Sequence, residues 1–452
     1  SPDFEVANDN VPVGYIEAKD IGANLDKVQE SEQLQRYFRS LDNVILTDYL
    51  EFRWILNEEY HAKMTVRLAK VDSKGCLTPI PDALSHLKRL LKNFIEAQSI
   101  TLRSPEELAE KIAYIAEQMK DSILQGYKNE DKNGKLHGQL DSFRSVLIDT
   151  LTAEEFADMV AQTVCYGLFA AKCSSCGQPF SRLTAIYFVP KTNPFLRQLF
   201  SQLAGVDLDA GLVWLVEQLV KVLNHADIAA ILADFGKRTR QEDPVVHFYE
   251  TFLKHYNPQV REIRGVYYTP EPVVSYIVRS VDLLLKDKFK LKKGLTDYSK
   301  IDDGTHRVQI LDPATGTGTF LYAVIANIYQ EVSKRTAGAW SAYVSEHLLP
   351  RVHGFELLMA AYTVAHMKLG LQLQEYGYNF KSDERLRVFL TNTLDKAHDM
   401  HEPAFAKWLS DEANAANAIK KDTPVMVILG NPPYSGHSAN TGEWIRELLR
   451  GT

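Results

Sequence analysis

Three short constellations in this 452-residue chain hold residue types that can do chemistry. The first is VMVILGNPPY, in which an apolar run stops at Gly430 and delivers Asn431, Pro432, Pro433 and Tyr434. The prolines lack N–H groups and fix φ, so the turn presents carbonyls in a stiff geometry beside an Asn amide. Those acceptors can take two hydrogen bonds from one amino group, and Tyr434 offers a flat face to a planar ring. An exocyclic amine on an aromatic base fits that description, and an ordinary turn after a strand is the competing reading. The second is VQILDPATGTGTFLYAVIANIYQEV, where a strand over residues 308–311 leads through Asp312, Gly316 and Gly318 into a helix. Glycines there let backbone approach a ligand, and the helix N-terminus favours an anionic group. A tight turn with no ligand is the alternative, but a carboxylate at Asp312 repels phosphates and suits a cationic ligand. The third places Asp3 in one strand and Glu17 and Lys19 in the partner strand of a hairpin. Glu17 and Lys19 are two apart and share a face. Two carboxylates and a lysine on adjacent strands can hold Mg2+, polarise a phosphodiester and orient a water, whereas a plain surface hairpin is the rival.

Elements must position these residues. The run over residues 425–429 is too short for a helix and too apolar for a half-exposed strand, which predicts a central, buried parallel strand with ligands beyond its end. RVHGFELL predicts a strand ending at Glu356, placed to accept hydrogen bonds from ribose hydroxyls, or else a solvated Glu at a helix start. RVFLTNTLD predicts a strand ending at Asn392, able to bond an adenine edge, or a simple turn Asn. From Pro258 onward strands and helices alternate, the pattern of an α/β doubly wound sheet. Residues 1–75 read as mixed α/β, with a hairpin from residues 4–6 and 14–18, a helix over 27–40, and two strands in NVILTDYLEFRWI. Residues from about 80 to 255 read as helices, with acidic or Ser starts and apolar spacing of three and four. YKNEDKNGKLHG, at 127–138, reads as an exposed loop. The predicted division is 1–75, 76–255 and 256–452.

A hydrophobic content of 45 % supports real cores in roughly two to four domains. No apolar stretch reaches a membrane span and SPDFEVANDN is no signal peptide, so a cytoplasmic protein with no membrane partner is expected. Cys76, Cys165, Cys173 and Cys176 are too few for a disulfide scaffold, and Cys173 with Cys176 makes a lone C-x-x-C without a second pair at zinc spacing. A net charge of −7 means that any nucleic-acid contact must be local, or use parts absent from this chain.

A cationic, ribose-bearing and adenine-bearing ligand describes S-adenosylmethionine. DPATGTGTF, GFE, TNTL and GNPPY stand in the order seen in N6-adenine DNA methyltransferases, and RGVYYTPEPVVSYIVRSV resembles the segment before the glycine turn in their gamma class. That resemblance implies a Rossmann-like S-adenosylmethionine-dependent methyltransferase domain. It puts Thr269, Asp312, Ala314, Gly316 and Gly318 on the methionine side, Glu356 at the ribose and Asn392 at the adenine, although many relatives carry Asp there. Asn431 would serve both cofactor and target: its side-chain oxygen and the Pro432 carbonyl would accept from the amine of a flipped-out adenine stacked on Tyr434. The N-terminal pattern resembles the PD-(D/E)xK nucleases, with Asp3 and Glu17 on Mg2+, Lys19 beside them, and Gln33 and Tyr37 matching a Q-x-x-x-Y element. The whole order, a partial α/β nuclease domain, a helical spacer and a methyltransferase, resembles type IIG and type ISP restriction-modification enzymes of prokaryotes. The resemblance implies double-stranded DNA as partner, with a target-recognition domain and a helicase domain in cis. A start immediately before Pro2, and an end eighteen residues beyond Tyr434, lead to the expectation of truncation at both ends. Methylation of RNA or of protein glutamine remains an alternative, as does a non-methylating defence protein that binds cofactor and DNA.

Overall fold

The computed structural model describes residues 2–8, 11–31, 34–35, 38, 41, 43–56, 62–71, 76–97, 102, 104–175, 177–189, 197, 210–231, 244–256, 269–335, 338–380, 384–394 and 404–432. The N-terminal residues pair as their alternation predicts: β1 (Phe4–Asn8) and β2 (Val11–Ala18) form an antiparallel hairpin. The helix expected over 27–40 begins earlier, as α1 (Leu25–Gln29), because the Asn24 side chain accepts from the Asp26 and Lys27 amides and caps it there. It breaks at Glu30, and residues 34, 35 and 38 beyond it are again helical. β2 pairs parallel with β3 (Asn43–Thr47), which continues antiparallel through β4 (Glu51–Leu56) to β5 (Met64–Arg67). A small hairpin, β6 (Ala69–Val71) and β7 (Leu77–Pro79), leads into α2 (Ala83–Glu96). One sheet face packs Tyr15, Val44, Leu46 and Ile55 on Leu25 and Phe38; the other packs Ile45, Trp54 and Val66 on Leu90 and Phe94 of α2.

The helical middle comprises α3 (Pro105–Asn129), α4 (Lys135–Val146), α5 (Ala153–Ser174), α6 (Ala185–Phe188), α7 (Ala210–His225) and α8 (Pro244–Tyr256). Ser104 caps α3, and Thr152 with Glu155 closes a reciprocal capping box on α5. The loop expected over 127–138 shrinks to residues 130–134. Glu130, just past α3, turns its carboxylate onto the amides of Lys135, Leu136 and His137, satisfying donors that a polar loop would leave to water. The N-terminal sheet docks on α7, where Tyr15 Oη donates to Gln218 Oε1 at 2.8 Å and Lys221 pairs with Glu5 at 2.8 Å.

The remaining elements are α9 (Glu271–Asp287), β8 (Ile310–Asp312), α10 (Thr319–Arg335), α11 (Trp340–Tyr343), β9 (Val352–Glu356), α12 (Met359–Glu375), β10 (Arg387–Leu390), α13 (Ala404–Asp422) and β11 (Val427–Ile428). Their strands form a parallel sheet in the order β10-β9-β8-β11. Successive strands step outward from β8 to β10, then β11 returns to the other side of β8, so the topological switch lies between β8 and β11. The strand expected over residues 425–429 is thus two residues long and, among the described residues, outermost rather than central. Val427 and Leu429 are buried while Ile428 is 67 % exposed, because only one face of β11 is covered by described residues. Apolar identity reports what a strand can bury, not what it meets.

Helix α12 is buried along almost its whole length. Ala360, Val364 and Met367 join the core of the helical middle, while Met359, Tyr362, Ala365, Leu369 and Leu373 join the core under the parallel sheet. That second core also takes Leu140, Phe143, Val146, Leu147, Leu151, Phe156 and Met159 from α4, α5 and the turn between them. Among the described residues no helix is long and apolar enough to cross a membrane.

Candidate active site

Strand β8 ends at Asp312, which is fully buried. Its Oδ1 accepts from the Ala314 amide at 3.1 Å, and its Oδ2 has no partner among the described residues. Burial pushes this carboxyl up to about 7, opposed by the Ala314 amide and aided by the Glu356 charge. The chain then turns through Gly316 and Gly318, at φ +54° and +83°, a region that disfavours side chains. Thr315 fixes the turn by donating its amide to the Phe355 carbonyl and its hydroxyl to the Asp312 carbonyl. Gly318 also lets α12 approach, since a Cβ there would lie 3.3 Å from that of Ala365.

Glu356 stands at the end of β9, buried rather than solvated. Its Oε2 accepts from the Gly316 amide at 2.7 Å, and its Oε1 from the Leu357 and Leu358 amides at 2.9 and 2.8 Å. Burial raises its pKa against the pull of these three donors. One carboxylate therefore ties the glycine turn to the start of α12. A carboxylate offers about four acceptor positions, so a hydroxyl can still be added.

Asn392 follows β10. Its Oδ1 accepts from the Leu394 amide at 3.1 Å, its Nδ2 donates to the Leu147 carbonyl at 3.3 Å, and its own carbonyl accepts from Lys420 at 2.7 Å. The next residue, Thr393, donates its hydroxyl to the Pro313 carbonyl at 2.6 Å. Sequence reasoning passed over Lys420, Leu147, Thr315 and Thr393. Lys420 lies 28 residues from Asn392 and Leu147 lies 245 residues away, so no local signal marks either.

At the switch point the Leu429 amide donates to the Leu311 carbonyl at 3.0 Å, which brings Gly430 against Asp312. A Cβ on Gly430 would lie 2.5 Å from Asp312 Oδ1, so only glycine permits this approach. Its place directly before Asn431 was the signal available in the sequence. Asn431 and Pro432 are exposed, and Asn431 Nδ2 donates to Thr269 Oγ1 at 3.0 Å, just before α9. Pro433 and Tyr434 lie outside the described residues. Asp312, Gly316, Glu356, Gly430, Asn431 and Thr269 thus come from four chain segments to the carboxyl ends of three neighbouring strands.

Residues 240–447 match the family model described as N-6 DNA Methylase. That segment, a little under half of the chain, is similar to the N-6 DNA methylase family. No curated protein matches the chain. Solved structures similar to it include that of a DrdV–DNA complex, at 21 % identity and a TM-score of 0.52, over 99 % of this chain and 40 % of that one. A nuclease-deletion mutant of the Type ISP restriction-modification enzyme LlaGI, in complex with a DNA substrate mimic, is similar at 19 % and 0.53, over 81 % and 27 %. The ATP-dependent Type ISP restriction-modification enzyme LlaBIII bound to DNA is similar at 21 % and 0.53, over 79 % and 22 %. At such identities the likeness is one of fold, and this chain spans 40 % or less of each of the three. The matched segment begins inside the helical middle, ahead of α8, in keeping with the shared packing around α12.

Away from the parallel sheet, Asp3 Oδ2 accepts from the Ala18 amide at 2.8 Å, and Lys19 pairs with Glu17 Oε1 at 2.5 Å. Glu17 is buried and its Oε2 has no partner among the described residues. Hairpin register therefore gathers the three predicted residues. Among the described residues no group of three or more His, Cys, Asp or Glu could hold a metal ion. Gln33, Tyr37 and Cys176 lie outside the described residues, and burial pushes the Cys173 thiol up to about 12, away from a ligating thiolate.

Proposed function

We propose that the C-terminal domain transfers a methyl group from S-adenosylmethionine to the N6 amine of an adenine flipped out of double-stranded DNA, as one activity of a restriction-modification enzyme. The observation that carries this reading is the contact of Gly430 with Asp312, which sets an amine-accepting turn directly beside a buried, under-satisfied carboxylate on a glycine turn.

S-adenosylmethionine, when bound, supplies a methyl group on a positively charged sulfur. The residues present suit it: Asp312 Oδ2 lacks a partner among the described residues and matches the amino group, the glycine turn admits backbone approach, and Glu356 retains acceptor capacity for a ribose hydroxyl. Thr269, Ala314, Gly316 and Gly318 would line the methionine side, and Asn392 would face the adenine. The target amine is a poor nucleophile because its lone pair is delocalised into the ring. Asn431 Oδ1 and the Pro432 carbonyl, accepting its two N–H bonds, hold that lone pair on nitrogen as positive charge develops there. Thr269 occupies the donor end of the Asn431 amide, leaving the acceptor end for the substrate. Tyr434 would stack on the extruded ring, a contact of about 1–3 kcal/mol.

Asp312 makes cofactor affinity depend on pH. Its folded carboxyl titrates near 7, so it is largely protonated below that and charged above. Affinity for a ligand bearing an ammonium group is expected to strengthen as pH rises from 6 to 8, and Asp312→Asn to flatten that profile, as calorimetric titration would measure. Because the folded pKa is raised above the unfolded 3.8, the same group's contribution to stability is complete below 3.8 and lost as pH rises through about 7. Transfer of tritiated methyl groups to pools of DNA, RNA and protein tests the substrate: label in DNA adenine supports the reading, and label only in RNA or glutamine replaces it.

DNA cleavage by the N-terminal sheet is a second reading, favoured by the gathering of Asp3, Glu17 and Lys19. Plasmid cutting in magnesium buffer should be lost in Lys19→Ala; equal cutting by both proteins removes the assignment.

A further inference from the structure

The chain is acidic overall, yet residues 286–293, KDKFKLKK, hold five lysines and one aspartate. A run of this kind is usually a solvated face, and the structure separates the lysine that is used internally from those that are not. Lys286 is spent on Asp282, at 2.5 Å, whose other oxygen accepts from the Leu295 amide at 2.8 Å. Leu285, Leu291 and Leu295 are buried in the methylase core, and the Leu291 amide donates to the Leu285 carbonyl at 3.0 Å. Anchored in this way, the turn points Lys288, Lys290 and Lys292 into solvent. Lys293 lies over the ring of Tyr298, 3.8 Å from its centroid, and Tyr298 and Phe289 are 43 % and 58 % exposed beside these ammonium groups. Lys290 sits at φ +59°, which turns the backbone sharply and spreads the side chains instead of stacking them on one helical face. Asp287 is the acidic neighbour within the turn. Asp302 and Asp303 lie on the following loop, where Asp303 accepts from the Thr305 amide.

The turn also has a defined distance from the catalytic residues. Helix α9 begins immediately after the Thr269 that bonds Asn431, and its 17 residues span about 25 Å before the lysines. That length corresponds to about seven base pairs of duplex.

We propose that the lysine turn at the end of α9 is a second, sequence-independent contact for the phosphate backbone of duplex DNA, remote from the catalytic turn. Exposed ammonium groups without a partner among the described residues, with exposed rings between them, match a polyanion bearing sugars, and a chain of net charge −7 needs such a local patch to hold one. The choice of DNA as the polyanion rests on the function proposed above, but the readout is binding, so the two can fail separately.

The test compares the full chain with its Lys288→Gln/Lys290→Gln/Lys292→Gln variant, all three positions being exposed. Binding to a duplex of about 40 base pairs lacking any methylatable target is measured by anisotropy across a salt series. The slope of log affinity against log salt should fall by about 2.7, so that between 50 and 200 mM salt the native chain loses about 40-fold more affinity than the variant. On a hairpin with a stem of about 4 base pairs, too short to reach both places, the two proteins should differ little. Unchanged slopes on the long duplex overturn the proposal, as does native binding to poly-glutamate but not to duplex. Loss of the slope difference in the Asn431→Ala background would likewise overturn it, because the turn would then act through the catalytic site.

Discussion

Asn431→Ala is expected to lower the methyl-transfer rate by about 10^3-fold or more, while S-adenosylmethionine still binds to within about threefold. Alanine removes the side-chain acceptor for the target amine and leaves Asp312, the glycine turn and Glu356 intact. Single-turnover methylation and calorimetric cofactor binding, run on the same preparation, check both halves; methylation at near wild-type rate would sink the mechanism. Thr269→Val gives an internal comparison. It deletes the hydroxyl that fixes the amide of Asn431 without touching its acceptor, so a smaller loss, about tenfold, is expected, with recovery in Thr269→Ser.

A fragment starting at residue 257, cut where the sequence changes from helices to alternating elements, is expected not to fold as a soluble monomer. Seven apolar side chains of α4, α5 and their connecting turn belong to the core under the parallel sheet. At about 1.5–3 kcal/mol each, their loss removes about 10–20 kcal/mol of burial, more than the 5–15 kcal/mol that holds a typical domain together. It also bares Ala360, Val364 and Met367 on the outer face of α12. Size-exclusion chromatography and thermal unfolding of the fragment against a chain starting at residue 104 decide the matter: a monomeric, cooperatively unfolding fragment would refute the shared-core account.

The glycine turn was legible because strand, Asp312 and paired glycines impose a local geometry that few other sequences satisfy, and the structure holds Gly316 and Gly318 at positive φ. Glu356 was legible as a strand-end carboxylate, though its three amide partners were not, since two of them belong to a helix start that forms only around it. The shortened 127–138 loop escaped because Glu130 caps a helix from outside it, a tertiary choice invisible to composition. The open face of β11 escaped for the opposite reason: Ile428 is as apolar as its buried neighbours, and only the packing distinguishes them. Asn392 was found by its position after a strand, while its ties to Leu147 and Lys420 depend on segments that sequence proximity does not join.

The two-sided burial of α12 bears on how such proteins can be recombined. Its first turn hangs from Glu356, its middle presses on Gly318, and its far side is lined by the helical bundle. A chimaera that joins this parallel-sheet domain to another bundle must therefore match Ala360, Val364 and Met367 knob for knob, or displace the glycine turn along with the helix. Crossovers are better placed before α3, where the contacts between the N-terminal sheet and the bundle at α7 include, among the described residues, the polar pairs Tyr15–Gln218 and Glu5–Lys221. In the currency of inheritance, the bundle and the parallel-sheet domain are a single module.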